Sequence, residues 1–128
     1  MRVAFRAREG GFIADEDAIG FSLAGNDDEG GEHYLNLHRS PEGTDPEEDW
    51  GIHLEFDSQG NSGYGCLSLC RLSRQLLAVE LSKPLGQWHP EVEGFDVTLD
   101  EISDETYQEL RSNLPRAFRG FEGQLVLA

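Results

Sequence analysis

The chain has 128 residues, enough for a single domain over 1–128 with little room for two, and 38% of them are hydrophobic. Its 25 acidic residues outnumber 10 basic ones and give a formal net charge of −15. This balance argues against nucleic acid and anionic membranes as partners, because both are bound through Lys and Arg.

Alternating apolar residues and intervening turn signals predict a chain built mainly of short strands. Phe12 and Ile13 add a short extended piece between a glycine pair and an acidic turn. Turns or loops are predicted over 26–32, over the acidic segment 40–50 and over the glycine-rich segment 57–65. The predicted strands cover 3–7, 18–23, 33–38, 52–56, 66–72, 76–81, 94–99 and 124–127.

The most apolar part of the chain is a predicted hairpin. Its strands, 66–72 and 76–81, are joined through Ser73-Arg74-Gln75. We expect these two strands to lie at the centre of the sheet, because apolar runs bounded by turn signals are typical of buried strands.

One helix is predicted near the end of the chain. Ser103 is a favourable N-cap, and the acidic residues that follow it complement the helix dipole. Tyr107, Leu110 and Leu114 form one apolar stripe, and Pro115 limits the helix. The sequence therefore predicts an α+β domain, with a mainly antiparallel β-sheet of six to eight short strands and one C-terminal helix around residues 103–114.

The negative charge is concentrated in the first half of the chain. Residues 9–57 hold 15 acidic residues and one basic residue, Arg39, whereas the remainder is close to neutral. Such asymmetry indicates an interaction face for a basic protein partner, because opposite charges accelerate encounter. The alternative is that the acidity serves solubility alone.

No catalytic constellation is evident, and we predict no catalytic residues and no cofactor. The chain lacks a Gly-x-Ser-x-Gly nucleophile motif. Its two cysteines, Cys66 and Cys70, lie in an apolar strand with their Cα atoms about 13 Å apart, from the rise per residue of a strand. That distance exceeds the reach of a disulfide bond, so we expect reduced and inert thiols.

Histidines among many carboxylates raise the question of a metal site. His38 and His53 are predicted on adjacent strands, but the spacing of His33, His38, His53 and His89 matches no zinc motif. The acidic turn 26–31 also departs from a calcium loop, because Leu37 stands where the bidentate glutamate belongs. We therefore predict no metal.

The chain begins without the apolar run of a signal peptide and has no stretch approaching the ~20 apolar residues of a membrane span. We expect a cytoplasmic protein without membrane contact. The oligomeric state is left open, since the edges of a small sheet can pair into a homodimer.

A family resemblance rests on segments 21–24 (Phe-Ser-Leu-Ala), 34–40 (Tyr-Leu-Asn-Leu-His-Arg-Ser) and 57–65 (Asp-Ser-Gln-Gly-Asn-Ser-Gly-Tyr-Gly). In this order they resemble the immunity protein 10 family of bacterial polymorphic toxin systems. The Ser-Gly-Tyr-Gly segment is the most specific part, and Cys66 departs from the third glycine expected there. The resemblance implies a non-enzymatic cytoplasmic protein that binds and neutralises a cognate toxin.

We predict that the acidic loops contact this toxin, together with tryptophans in loops, which often anchor interfaces. The alternatives are a protein-interaction module outside toxin systems, a small-ligand or metal-binding β-rich domain, and an unrecognised hydrolase. The candidate contact residues are Asp27, Asp28, Glu29, Glu32, Glu42, Asp45, Glu47, Glu48, Asp49, Trp50 and Trp88.

Overall fold

A curved sheet of nine strands with one α-helix against it is the fold of residues 1–86 and 90–128, the part of the chain that the computed structural model describes. The helix α1 spans Asp104–Ala117, and a short 3₁₀ turn follows at Glu122–Gln124. The strands are β1 (Arg2–Ala14), β2 (Ile19–Asn26), β3 (Glu32–Arg39), β4 (His53–Phe56), β5 (Ser58–Tyr64), β6 (Leu67–Leu72), β7 (Leu76–Leu81), β8 (Gly94–Thr98) and β9 (Leu125–Leu127).

The long strand β1 joins two antiparallel meanders into one sheet. The strand order is β5-β4-β3-β2-β1-β8-β7-β6-β9. The second half of β1 pairs with β2, and its first half, Arg2–Arg6, pairs in parallel with β8. Strands β6 and β9 form the other parallel pair. The predicted α+β class and the mainly antiparallel pairing are confirmed.

The sheet has nine strands rather than the six to eight predicted. The additional strand is β5, which lies in the segment 57–65 that is predicted as a glycine-rich connection. This strand is an edge strand that pairs only with β4 and is largely exposed, so it needs no apolar face. Polar edge strands of this kind carry little of the alternation on which sequence prediction depends.

The prediction that the apolar hairpin lies at the centre of the sheet was wrong. Strand β1 is central, and β6 is separated from one edge of the sheet only by β9. The apolar residues of the hairpin are buried all the same, since Cys70, Leu72, Leu77 and Val79 have no exposed surface. Apolar residues indicate that one face of a strand is buried, but they do not indicate where the strand lies in the sheet. A curved sheet buries the inner faces of strands near its edges as well.

The helix begins as predicted and ends later than predicted. Ser103 caps it by accepting a hydrogen bond from the backbone N–H of Thr106. Pro115 lies inside the helix, which continues to Ala117 instead of ending near residue 114. A proline removes one backbone hydrogen bond, but the buried side chains of Ala117 and Phe118 extend the apolar stripe past it.

The core fills the concave side of the sheet. The rings of Phe56 on β4 and Phe95 on β8 have centroids 4.8 Å apart. In a flat sheet these strands, with β3, β2 and β1 between them, would be about 19 Å apart at the usual strand spacing. The sheet therefore curls until its two halves meet, and α1 packs beside β1 and β2 with Leu110 and Leu114 fully buried.

Basic residues of β1 are paired with acidic residues that lie far away in the sequence. Arg2 donates to Asp96 and Glu80, Arg6 donates to Asp100, and Arg8 donates to Glu101. These pairs largely neutralise the outer surface of β1 and its neighbours. Most acidic residues of segment 9–57 lie in the turns and loops that connect the strands.

Candidate binding surface

The two acidic segments that the sequence singled out lie at opposite ends of β3. The β2–β3 turn precedes Glu32, and the β3–β4 loop follows Arg39. Seven residue steps along a strand separate these ends by about 23 Å. The predicted contact residues of these two segments therefore occupy two distinct ends of the sheet rather than one continuous patch.

Asp27 shapes the β2–β3 turn from within. Its Oδ1 accepts hydrogen bonds from the backbone N–H groups of Glu29 and Gly31, both at 2.9 Å. The hydrogen bond from His33, together with these two backbone bonds, lowers the pKa of the Asp27 carboxyl. Of the predicted contact residues at this end, Asp28, Glu29 and Glu32 are exposed, whereas Asp27 is engaged in holding the turn.

His33 links the β2–β3 turn to the β4–β5 turn. Its Nε2 and Nδ1 each lie 2.7 Å from a carboxylate oxygen, of Asp27 and Asp57 respectively, and its ring stacks on Phe56. Burial of the ring lowers the pKa of His33, but the hydrogen bonds to Asp57 and Asp27 together raise it by more. The pKa of His33 therefore lies above its usual value. When both ring nitrogens carry a proton, each can donate to one of the two carboxylates.

This geometry predicts a pH dependence of stability centred on His33. A raised pKa in the folded state adds stability that is fully present below the usual His pKa of 6.5 and is lost as the pH rises through the folded value. The lowered pKa of Asp27 adds stability above its usual 3.8 that is lost in acid. We expect His33→Gln to destabilise the protein most between these limits.

Urea denaturation of the wild type and of His33→Gln on both sides of pH 6.5 measures this effect. The difference between the two proteins should shrink as the pH rises, and an NMR titration should place the wild-type His33 pKa above 6.5. His38→Gln, at an exposed position on the same strand, is the matched control. A His33 that titrates below 6.5 would contradict the assignment.

At the other end of β3, a buried ion pair fixes the β3–β4 loop. Arg39 is 8% exposed, and its guanidinium donates to Asp49 at 2.8 Å and to the backbone carbonyls of Ala117 and Arg119. The Arg39 bond holds the pKa of the Asp49 carboxyl below its usual range. Asp49 also accepts from the backbone N–H of Gly51. The pair therefore ties the end of the loop to the C-terminal end of α1.

The remaining acidic residues of this loop divide into one paired residue and a group that faces solvent. Glu42 accepts hydrogen bonds from Arg116 of α1, which anchors the start of the loop. Asp45, Glu47 and Glu48 are exposed, and no side chain in the described ranges pairs with their carboxylates. These three carboxylates are available to a partner.

Trp50 stands at the end of this loop with 73% of its side chain exposed. Its ring centroid lies 5.7 Å from that of Tyr64, and the Tyr64 ring lies 4.8 Å from that of His53. His53 and His38 are register partners on β4 and β3, with parallel rings 5.9 Å apart. The predicted adjacency of the two histidines is confirmed, and together the four rings form a row across the outer face.

The backbone beside Trp50 closely approaches the segment that follows the helix. Gly51 has φ of 85°, a conformation that side chains other than glycine rarely adopt. A Cβ at Gly51 would lie 3.6 Å from the ring of Phe121, which itself packs over the guanidinium of Arg39 at 5.1 Å. Trp50 and Phe121 line a cleft of about 710 Å³ together with Asp45.

The β1–β2 loop adds acidic residues that are not among the predicted contact residues. Asp17 lines a hollow of about 320 Å³ with His38, His53 and Tyr64. Asp15, Glu16 and Asp17 are all exposed. We name the surface formed by Asp17, His38, Asp45, Glu47, Glu48, Trp50, His53 and Tyr64 the Trp50 surface.

Hairpin geometry is the signal that would have found the contribution of the β1–β2 loop. In consecutive antiparallel strands, alternate loops lie at the same end of the sheet. The observed register places Ile19, just after the β1–β2 loop, opposite Arg39, just before the β3–β4 loop. Tyr64 is absent from the predicted contact residues because it belongs to β5, whose segment is predicted as a connection.

The remaining predictions concern the two cysteines and a metal site. Cys66 and Cys70 are free and buried, and burial raises the pKa of Cys70 to about 12 and also raises that of Cys66. Within residues 1–86 and 90–128, no group of three or more His, Cys, Asp or Glu residues is placed to hold a metal ion. The predicted contact residue Trp88 and the metal candidate His89 lie outside the described residues.

Comparison with known protein families gives a match over most of the chain. The sequence model of the family described as immunity protein 10 matches residues 6–105, from the middle of β1 to the start of α1. No curated protein and no solved structure matches the chain. The matched region contains both acidic loops and all four rings of the aromatic row. None of the helices in the described ranges is long and apolar enough to cross a membrane.

Proposed function

Because the chain belongs to the immunity protein 10 family, we propose that it binds a cognate bacterial toxin domain and neutralises it. The family match over most of the chain is the observation that carries this proposal. Binding then takes place in the cytoplasm of the producing cell, where the toxin would otherwise act on that cell or on its siblings.

The proposed mechanism is occlusion rather than chemistry. Immunity proteins are generally non-enzymatic, and the thiols of this chain are poor nucleophiles because burial raises their pKa values. A rigid sheet that carries exposed carboxylates on its loops suits a protein that covers the working surface of another. We therefore assign no catalytic step to the chain.

The proposed partner is a basic toxin domain. The formal net charge of −15 accelerates encounter with a positively charged surface and disfavours partners of like charge. An acidic surface can occupy the region of a nuclease-type toxin that otherwise holds phosphate. The contact residues predicted from the sequence remain part of this proposal: Asp27, Asp28, Glu29, Glu32, Glu42, Asp45, Glu47, Glu48, Asp49, Trp50 and Trp88.

A small-ligand function draws less support from the fold. In the described part of the chain, buried Phe and Leu side chains fill the concave side of the sheet, where a deep apolar pocket would have to open. The cleft beside Trp50 lies at the surface and is lined by charged residues as well as aromatic ones. A protein partner fits such a surface better than a small apolar molecule.

Survival of bacteria that express the toxin domain encoded beside this gene tests the proposal. Cells that produce the toxin alone should lose viability, and co-expression of this chain should restore growth to the level of toxin-free cells. An unrelated acidic protein of similar size is the control for charge alone. Cell death that continues despite soluble expression of this chain would contradict the proposal.

A further inference from the structure

The row of rings on the outer face is unusual because most of it is open to solvent. Trp50 is 73% exposed and Tyr64 is 46% exposed. A tryptophan normally buries most of its large apolar surface, and an exposed one beside other aromatic rings is typical of an interface anchor. The exposed row Trp50–Tyr64–His53–His38 therefore has the character of a protein-binding surface.

The surroundings of the row define the charge of that partner. Asp45, Glu47 and Glu48 lie within five residues of Trp50 in the loop, and Asp17 borders the histidine end of the row. The nearby arginines already contact protein oxygens, since Arg39 donates to Asp49 and Arg116 donates to Glu42. The exposed carboxylates are thus left to attract positive charge from outside the molecule.

We propose that the Trp50 surface binds an arginine or lysine side chain of the toxin. The cationic group of that side chain lies against the Trp50 and Tyr64 rings and faces the carboxylates of the β3–β4 loop. A cation over an aromatic face is attracted by the negative charge of the ring, and Trp gives the strongest attraction. This inference rests on the proposed function and specifies the partner chemistry at one end of the sheet.

The β2–β3 turn offers a matched comparison for the role of charge. Asp28 and Glu29 are exposed acidic residues like Glu47 and Glu48, but they lie at the opposite end of β3. The only tryptophan in the described residues is Trp50. If general negative charge alone governed binding, neutralising either pair would have the same effect.

Binding of the purified chain to the toxin domain encoded beside its gene tests the inference. Trp50→Ala should raise Kd by about 30-fold or more, the range of an interface hot spot, and Tyr64→Ala should also weaken binding. Glu47→Gln with Glu48→Gln should slow association and reduce its salt dependence, and Asp28→Asn with Glu29→Gln should have the smaller effect on both. Circular dichroism and thermal unfolding should show that each variant keeps the wild-type fold.

The possible outcomes separate the two proposals. If the wild-type chain binds the toxin domain and Trp50→Ala and Tyr64→Ala bind it equally well, this inference is overturned and the proposed function stands. A larger effect from the Asp28 and Glu29 pair than from the Glu47 and Glu48 pair would also overturn it, by placing the contact at the other end. A wild-type chain that fails to bind the toxin domain would overturn both proposals.

Discussion

Replacing Asp49 by alanine should lower the free energy of unfolding by about 3 kcal/mol, because it leaves a buried guanidinium without its carboxylate. Arg39 is 8% exposed and the Asp49 side chain is 11% exposed, so water compensates little for the lost partner. The Nε of Arg39 already has no hydrogen-bond partner among the described residues. The remaining acceptors of the Arg39 guanidinium, the backbone carbonyls of Ala117 and Arg119, are uncharged and do not replace the carboxylate.

Chemical denaturation of the purified variant measures this effect at equilibrium. Asp45→Ala, in the same loop but exposed, is the matched control and should change the stability little. Asp49→Asn should lie between the two because it keeps a hydrogen-bond acceptor but removes the charge. Equal stability of Asp49→Ala and the wild type would show that Arg39 is not held by this pair.

The second large effect concerns Phe56, whose replacement by alanine should cost about 3–5 kcal/mol of stability, the range for deleting a buried phenylalanine. The ring is 1% exposed and contacts Phe95 at 4.8 Å between centroids, with Phe5 at 6.2 Å. It also stacks on His33 at 5.3 Å. Its loss leaves a cavity where the two halves of the curled sheet meet.

Urea denaturation of Phe56→Ala and Phe56→Leu distinguishes cavity formation from a general loss of apolarity. The leucine variant retains most of the volume and should lose less stability. Ile13→Ala, at a side chain that is 52% exposed, is the control for an apolar residue outside the core. Similar losses for Ile13→Ala and Phe56→Ala would contradict the curled arrangement of the sheet.

Alternation and capping signals predicted most of the fold because they are local in sequence. The alternating run before Phe56 identified β4, and Ser103 identified the start of the helix. Strand β5 was missed because an edge strand needs no apolar face. The central place of β1 was missed because strand order depends on the parallel pairing with β8, whose residues are distant in sequence.

The candidate site was only partly predictable for the same reason. The prolines and acidic residues of segment 40–50 are contiguous, so composition alone predicted an exposed acidic loop there. The partner of Glu42 could not be inferred because Arg116 lies 74 residues away in the sequence. The partner of Asp49 could not be inferred because the sequence gives no sign that Arg39 is buried. Tyr64 joins the row only through the pairing of β5 with β4.

Acidic residues from similar loop segments of the sequence have different structural roles. Asp27 and Asp49 shape their own loops through backbone and side-chain hydrogen bonds. Asp45, Glu47 and Glu48 project to solvent from a loop that these contacts hold in place. Substitutions of the first group should therefore act through stability, and those of the second group through association with the partner.

Isothermal titration calorimetry of the purified chain with the toxin domain encoded beside its gene tests the central claim most directly. We predict a stoichiometric complex of nanomolar or tighter affinity, and toxin activity that falls in proportion to the toxin bound. The absence of binding heat and of co-elution at micromolar concentrations of both folded proteins would contradict the assignment as a toxin-neutralising protein.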